Sequence, residues 1–355
     1  MRAITVAPGI AQSARLDDVP EPAATEGSLL VHALALGVCG TDREILNGFY
    51  GEAPQGQSRL ILGHESLGEI EQAPEGSGFA RGDRVVGIVR RPDPVPCPAC
   101  AAGEWDMCRN GLYRERGIKG LHGFGSEYFR LEPEFAVGID ADLGLAGVLL
   151  EPASVGAKAW DHIERIGRRS RAWEPRNLLV TGAGPIGLLA AMMGAQRGLH
   201  VHLFDREGNG PKRALADDLG AQYHSEPASL ADIRFDVVLE CTSAAPVIAL
   251  AMKHCAASGI VCLLGVSAAG RSAAFDMGGF NRKLVLNNEV VFGSVNANLD
   301  HYRAAADALR RADRNWLDRL ITRRVPLARF WEALERRPGD IKVIVDFEKK
   351  HGVAD

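Results

Sequence analysis

The chain has 355 residues, 46% of them hydrophobic, with 41 Lys plus Arg against 45 Asp plus Glu and a formal net charge of -4. That length exceeds one ordinary core and favours two domains, and the slightly acidic balance excludes a surface for nucleic acid or anionic membrane. No apolar run nears the roughly 20 residues that span a bilayer, the first thirty residues hold acids and prolines rather than a signal peptide, and the seven cysteines fit metal thiolates in a reducing cytoplasm better than a disulfide framework.

Taken in order, Ile4-Thr5-Val6, the run from Ser28 to Leu34, Leu67 to Glu71 and Asp83 to Val89 read as short strands of an irregular, β-rich first domain. Within it, Gly37-Val38-Cys39-Gly40-Thr41-Asp42 and Gly63-His64-Glu65 supply a thiol, an imidazole and carboxylates. Those are the donor types that a borderline-soft ion such as Zn²⁺ selects. An isolated cysteine is more often a small buried hydrophobe than a ligand. The glycine flanks and what lies downstream reverse that weighting.

The basic run from Arg165 to Arg176, with Gly167 and Pro175, reads as a solvated connector. Beyond it, strands and helices alternate. Strands are expected at Asn177 to Thr181, His200 to Phe204, Phe235 to Glu240, Ile260 to Leu264 and Val290 to Val295. Helices are expected at Pro185 to Arg197, Pro211 to Leu219 and Pro246 to Ala256, the last ended near Gly259. Such alternation implies parallel strands with crossover helices, a doubly wound α/β sheet. A helix from Tyr302 to Arg311 and a strand from Ile341 to Phe347 close the chain.

Gly182-Ala183-Gly184-Pro185-Ile186-Gly187 follows the first of those strands and opens a helix. In that context a Gly-x-Gly-x-x-Gly run is a dinucleotide loop: a tight turn, close backbone approach to a pyrophosphate, and close helix packing. Asp205 ends the second strand, where a carboxylate binds ribose hydroxyls and repels a 2′-phosphate. Arg206, Lys212 and Arg213 nearby leave room for NADP, so NAD is expected as the preferred cofactor with NADP tolerated.

These segments, in this order, resemble the medium-chain, zinc-dependent alcohol dehydrogenase superfamily over nearly the whole chain. The resemblance implies a GroES-like catalytic domain, residues 1–155 and 297–355, interrupted by a Rossmann domain, residues 156–296. It implies a catalytic zinc on Cys39, His64 and a carboxylate, with Glu151 at the usual third position and Glu65 a ligand in some states or a nearby carboxylate. Thr41 fills the position whose hydroxyl meets the substrate alcohol. The family's structural-zinc lobe carries four cysteines. Here Cys97, Cys100 and Cys108 remain, Pro94 stands where the first is usual, and Asp93 is the candidate fourth ligand.

Val89-Arg90-Arg91-Pro92, Glu104 to Cys108, Arg116 to Gly120, His122-Gly123-Phe124, Asn281-Arg282-Lys283 and Gly293 to Asn296 resemble the glucose (aldose) dehydrogenase branch. The likeness implies a sugar substrate oxidised at C1, D-glucose first, with Glu115 and Asn296 contacting sugar hydroxyls or the nicotinamide side. A polyol or L-threonine dehydrogenase is the alternative. A homo-oligomer, dimer or tetramer, is the family expectation.

Overall fold

In the computed structural model, residues 1–267 and 274–347 are described. The chain forms two compact units, residues 1–151 with those from 296 onward, and residues 152–295. Asn296 therefore belongs to the first unit.

The first unit is organised on the strand Leu29–Val38, whose residues are almost all buried. A strand covered on both faces needs a near-continuous apolar run, and Leu29-Leu30-Val31 through Val38 provides it. Fully burying one such aliphatic side chain contributes about 1.5–3 kcal/mol. It pairs antiparallel with Glu65–Gln72, Tyr128–Leu131 and the C-terminal strand Lys342–Asp346. The pairing Val343 with Val38 and Gly37 with Glu65 brings three remote segments together at one strand end. A smaller sheet joins Arg90–Arg91, Arg114–Arg116 and Gly120–Leu121, and sets Arg90 opposite Glu115.

The second unit is a six-stranded parallel sheet. Its spatial order is Gln222–His224, His200–Phe204, Asn177–Thr181, Phe235–Glu240, Cys255–Leu263, Val290–Gly293. Counted along the chain this is 3-2-1-4-5-6, the doubly wound dinucleotide-binding topology.

Two local expectations change. The basic stretch from Arg165 begins inside a helix, Leu150–Gly167, rather than in a connector. Pro152 in its first turn is tolerated there, because that N–H has no helical partner to lose. The helix is anchored by buried Trp160, whose Nε1 donates to the Ala190 carbonyl at 3.2 Å. The helix expected through Ala256 stops at Lys253, and Cys255 already starts a strand. Gly259 is not its terminator. A Cβ there would lie 2.7 Å from Cys255 Sγ, so the glycine permits a close approach inside the strand. Among the described residues no helix is long and apolar enough to cross a membrane.

Candidate functional site

Cys39 sits where the strand Leu29–Val38 gives way to the helix Gly40–Leu46, as that helix's N-cap. Its thiol accepts from Thr41 N at 3.2 Å, and its own N–H donates to Asp42 Oδ2 at 2.8 Å. The capping geometry fixes the direction of Sγ. His64 precedes the strand Glu65–Gln72, and its Nε2 lies 3.2 Å from Cys39 Sγ. Gly37 is needed beside them, because a Cβ there would fall 2.0 Å from Glu65 Oε2.

The donor atoms of Cys39, His64 and Glu65 all lie within 4.8 Å of one another. Zinc with ordinary bond lengths and tetrahedral angles holds S and N about 3.6 Å apart. The observed 3.2 Å between Cys39 Sγ and His64 Nε2 is close to that spacing. His64 Nδ1 faces buried Asp42 Oδ1 at 3.4 Å, an ion-pair distance without hydrogen-bond geometry, while Nε2 lies toward the thiol. Burial disfavours the His64 cation, yet Cys39 and Asp42 hold its pKa well above the usual value. The site attracts positive charge.

Glu151 lies outside that mutual set of three. It stands in the first turn of Leu150–Gly167, buried, with its pKa pushed up to about 7 by burial and by Glu65, against the pull of His64. Glu65 instead meets a residue to which the sequence reading gave no role. Lys342, 1% exposed, donates to Glu65 Oε1 at 2.8 Å and Oε2 at 2.5 Å. Burial would lower the Lys342 pKa, but Glu65 and Cys39 keep it raised. Thr41 lies beside Cys39 through its backbone, on the same helix N-terminus.

Glu115 is buried and paired with Arg90, Nη2 to Oε1 at 2.9 Å. Asn296 Nδ2 donates to the same oxygen at 2.9 Å. Asn296, expected at the sugar hydroxyls or the nicotinamide side, thus donates to the Glu115 carboxylate.

In the lobe, the thiols of Cys97, Cys100 and Cys108 converge within 4.8 Å. The Arg109 N–H, donating to Cys97 Sγ at 3.4 Å, helps bring that thiol down to about 6. Burial pushes Cys100 up to about 11. Asp93 is outside the thiol set. Its Oδ1 accepts from Val95 N at 2.9 Å, and its buried Oδ2 has no hydrogen-bond partner among the described residues. A buried carboxylate oxygen without a described partner and three converging thiols are both groups that suit a cation.

In the second unit, Gly184 is the N-cap of the helix Pro185–Ala195. A Cβ on Gly184 would meet nothing within 4 Å, whereas one on Gly187 would strike Gly182 O at 1.9 Å. The loop is therefore open where a pyrophosphate approaches and tight where helix meets strand. Ile186 is the second residue of that helix. Asp205 Oδ2 accepts from Ala183 N at 2.7 Å and Oδ1 from Glu207 N at 3.0 Å, which fixes the carboxylate beside the loop. Arg206 is exposed. Lys212 is buried and committed, 2.9 Å from Glu207 and 3.5 Å from Asp205.

Residues 25–141 match the family described as alcohol dehydrogenase GroES-like domain, and residues 144–347 match glucose dehydrogenase C-terminus. A glucose 1-dehydrogenase of Vulcanisaeta moutnovskia is 40% identical over 351 residues, 98% of this chain and 99% of that protein. A glucose 1-dehydrogenase of Methanocella arvoryzae is 38% identical over 357 residues, again 98% and 99%. The crystal structure of Haloferax mediterranei glucose dehydrogenase, in complex with NADP, Zn and gluconolactone, is 30% identical. It superposes with a TM-score of 0.90, covering 98% of this chain and 100% of that one.

Proposed function

The chain belongs to the glucose dehydrogenase family of zinc-dependent alcohol dehydrogenases, and we propose that it oxidises an aldose, D-glucose first, at C1 to the aldonolactone. It is an NAD(P)-dependent zinc enzyme with a GroES-like unit and a Rossmann unit. The observation that carries the site assignment is the convergence of Cys39, His64 and Glu65 donors within 4.8 Å. Loss of turnover on chelation, restored by zinc, tests it. Full activity in a metal-free preparation defeats it.

Cys39 and His64 would hold the metal, with Glu65 or Glu151 as the carboxylate. When bound, zinc supplies Lewis acidity that eases deprotonation of an alcohol, and the nicotinamide supplies the hydride acceptor. Asp42 faces the His64 ring at ion-pair distance. Lys342 holds Glu65 by both oxygens, so the carboxylate is fixed near Cys39 rather than mobile. Thr41, with Glu65 or a water, would relay the proton of the C1 hydroxyl toward solvent, its hydroxyl giving up its own proton as it takes the new one. Glu115 accepts from a second sugar hydroxyl, which a buried polar substrate needs.

NAD is the preferred cofactor in this reading. Asp205 is pinned at the end of the second strand, and the Lys212 ammonium that a 2′-phosphate could use is already taken by Glu207. Asp205→Ser should move the NADP-to-NAD ratio of kcat/KM upward by roughly tenfold. A wild-type enzyme that favours NADP by about a hundredfold, some 2.7 kcal/mol, would contradict the preference.

Cys97, Cys100 and Cys108, with Asp93 as fourth ligand, would hold a second, structural zinc in the lobe. The protein should then contain two zinc ions per chain, and Cys100→Ala should lower the melting temperature more than loss of an ordinary buried cysteine. Metal affinity here is folding free energy. One zinc per chain, lost with Cys39 but kept without Cys100, would show the lobe to be empty.

We place the enzyme in the cytoplasm as a homodimer or homotetramer. The strand Val290–Gly293 ends its sheet, and Val285 and Leu286 beside it in sequence are each over 60% exposed. A monomer mass by light scattering would remove the oligomer.

A further inference from the structure

The sheet register sets Arg90 directly across from Glu115. Both Nε (3.1 Å) and Nη2 (2.9 Å) of Arg90 donate to Glu115 Oε1. The remaining Nη1 donates to the Asp106 carbonyl at 3.3 Å, and the guanidinium carbon lies 3.7 Å from the Tyr113 ring centroid. Arg90 is itself 5% exposed, so its orientation is over-determined. Asn296 adds the third donor to the same oxygen. It does so from a left-handed backbone, φ 60°, that asparagine tolerates better than most residues, with its Oδ1 tied to Ala297 N at 2.8 Å.

Three donors therefore converge on one carboxylate oxygen. An ionised carboxylate has room for about four hydrogen bonds over two oxygens. Oε2 of Glu115 accepts from none of the described residues, and the side chain keeps 6% of its surface exposed. We propose that Arg90 is a positioning residue for substrate recognition: with Asn296 it locks Oε1 of Glu115, so that Oε2 is presented as the acceptor for an aldose hydroxyl. This rests on the sugar reading of Glu115 given above. Lysine cannot replace it, because a single ammonium lacks the paired donors and the planar face that stacks on Tyr113.

The test is a double-mutant cycle with steady-state kinetics of the zinc-loaded enzyme on D-glucose. Arg90→Met should raise KM for glucose roughly tenfold with kcat little changed, the pattern of lost uniform binding. Zinc content and KM for the nicotinamide should stay at wild-type values. Arg90→Lys should behave likewise, and it serves if the methionine variant fails to fold. In a Glu115→Ala background the same change at Arg90 should add less than about twofold, since its effect runs through Glu115. Additive losses, or an equal rise in the cofactor KM, would overturn the role of Arg90 alone. A wild-type enzyme inactive on every aldose would overturn the sugar reading itself, and this proposal with it.

Discussion

Alanine in place of Cys39 or His64 is expected to lower kcat/KM by at least about a thousandfold, since a Lewis-acid metal is worth several kcal/mol to the transition state. Bound zinc should fall with it. Dinucleotide binding, measured by titrating nicotinamide fluorescence, should hardly change, because both donors lie in the first unit and the Gly182 loop in the second. Cys39 also caps the helix Gly40–Leu46 by accepting from Thr41 N, so its variant should lose some stability, about 1 kcal/mol. His64→Ala carries no such capping loss. A common collapse of turnover in both variants then reports the metal rather than the fold. A His64→Ala protein that keeps its turnover would contradict the ligand assignment.

Glu115→Ala is the second large effect. The substitution leaves a sugar hydroxyl without its acceptor, at a cost of about 1–3 kcal/mol. It also strands the Arg90 guanidinium, whose neighbours are otherwise a carbonyl and the Tyr113 ring. The specificity constant for glucose should fall roughly ten- to a hundredfold. A small aliphatic alcohol has no hydroxyl to satisfy there and should lose far less. Equal losses on both substrates would mean that Glu115 supports the fold and does not read the sugar.

What could be read from sequence was what chemistry confines to a few adjacent residues. The Gly182–Gly187 loop, the Cys39 turn and the His64-Glu65 pair each fit within a short window, because a tight turn or a donor flanked by glycine is a local requirement. The partners of those residues were not legible. Lys342 and Glu65 are 277 residues apart and meet only because the C-terminal strand pairs with Leu29–Val38. A lysine inside the apolar run Ile341 to Val345 was the signal, since a buried ammonium demands a carboxylate. Arg90 was visible as part of a branch-like segment, but its pairing across to Glu115 is a matter of sheet register. The helix Leu150–Gly167 was missed because Pro152, Gly156 and Gly167 mask its period, while tertiary anchoring of Trp160 sustains it. At Cys255 pairing with the neighbouring strand prevails over the helical pattern, and Gly259 serves a close approach inside the strand rather than a helix stop.

The central claim is that this chain is a zinc-dependent aldose dehydrogenase, and initial rates test it most directly. Purified enzyme would be assayed on aldoses, polyols, L-threonine and simple alcohols, with NAD and with NADP. The predicted result is that an aldose, D-glucose foremost, is oxidised with the highest kcat/KM, and with NAD ahead of NADP. Much faster turnover of a polyol, threonine or a simple alcohol than of any aldose would contradict it.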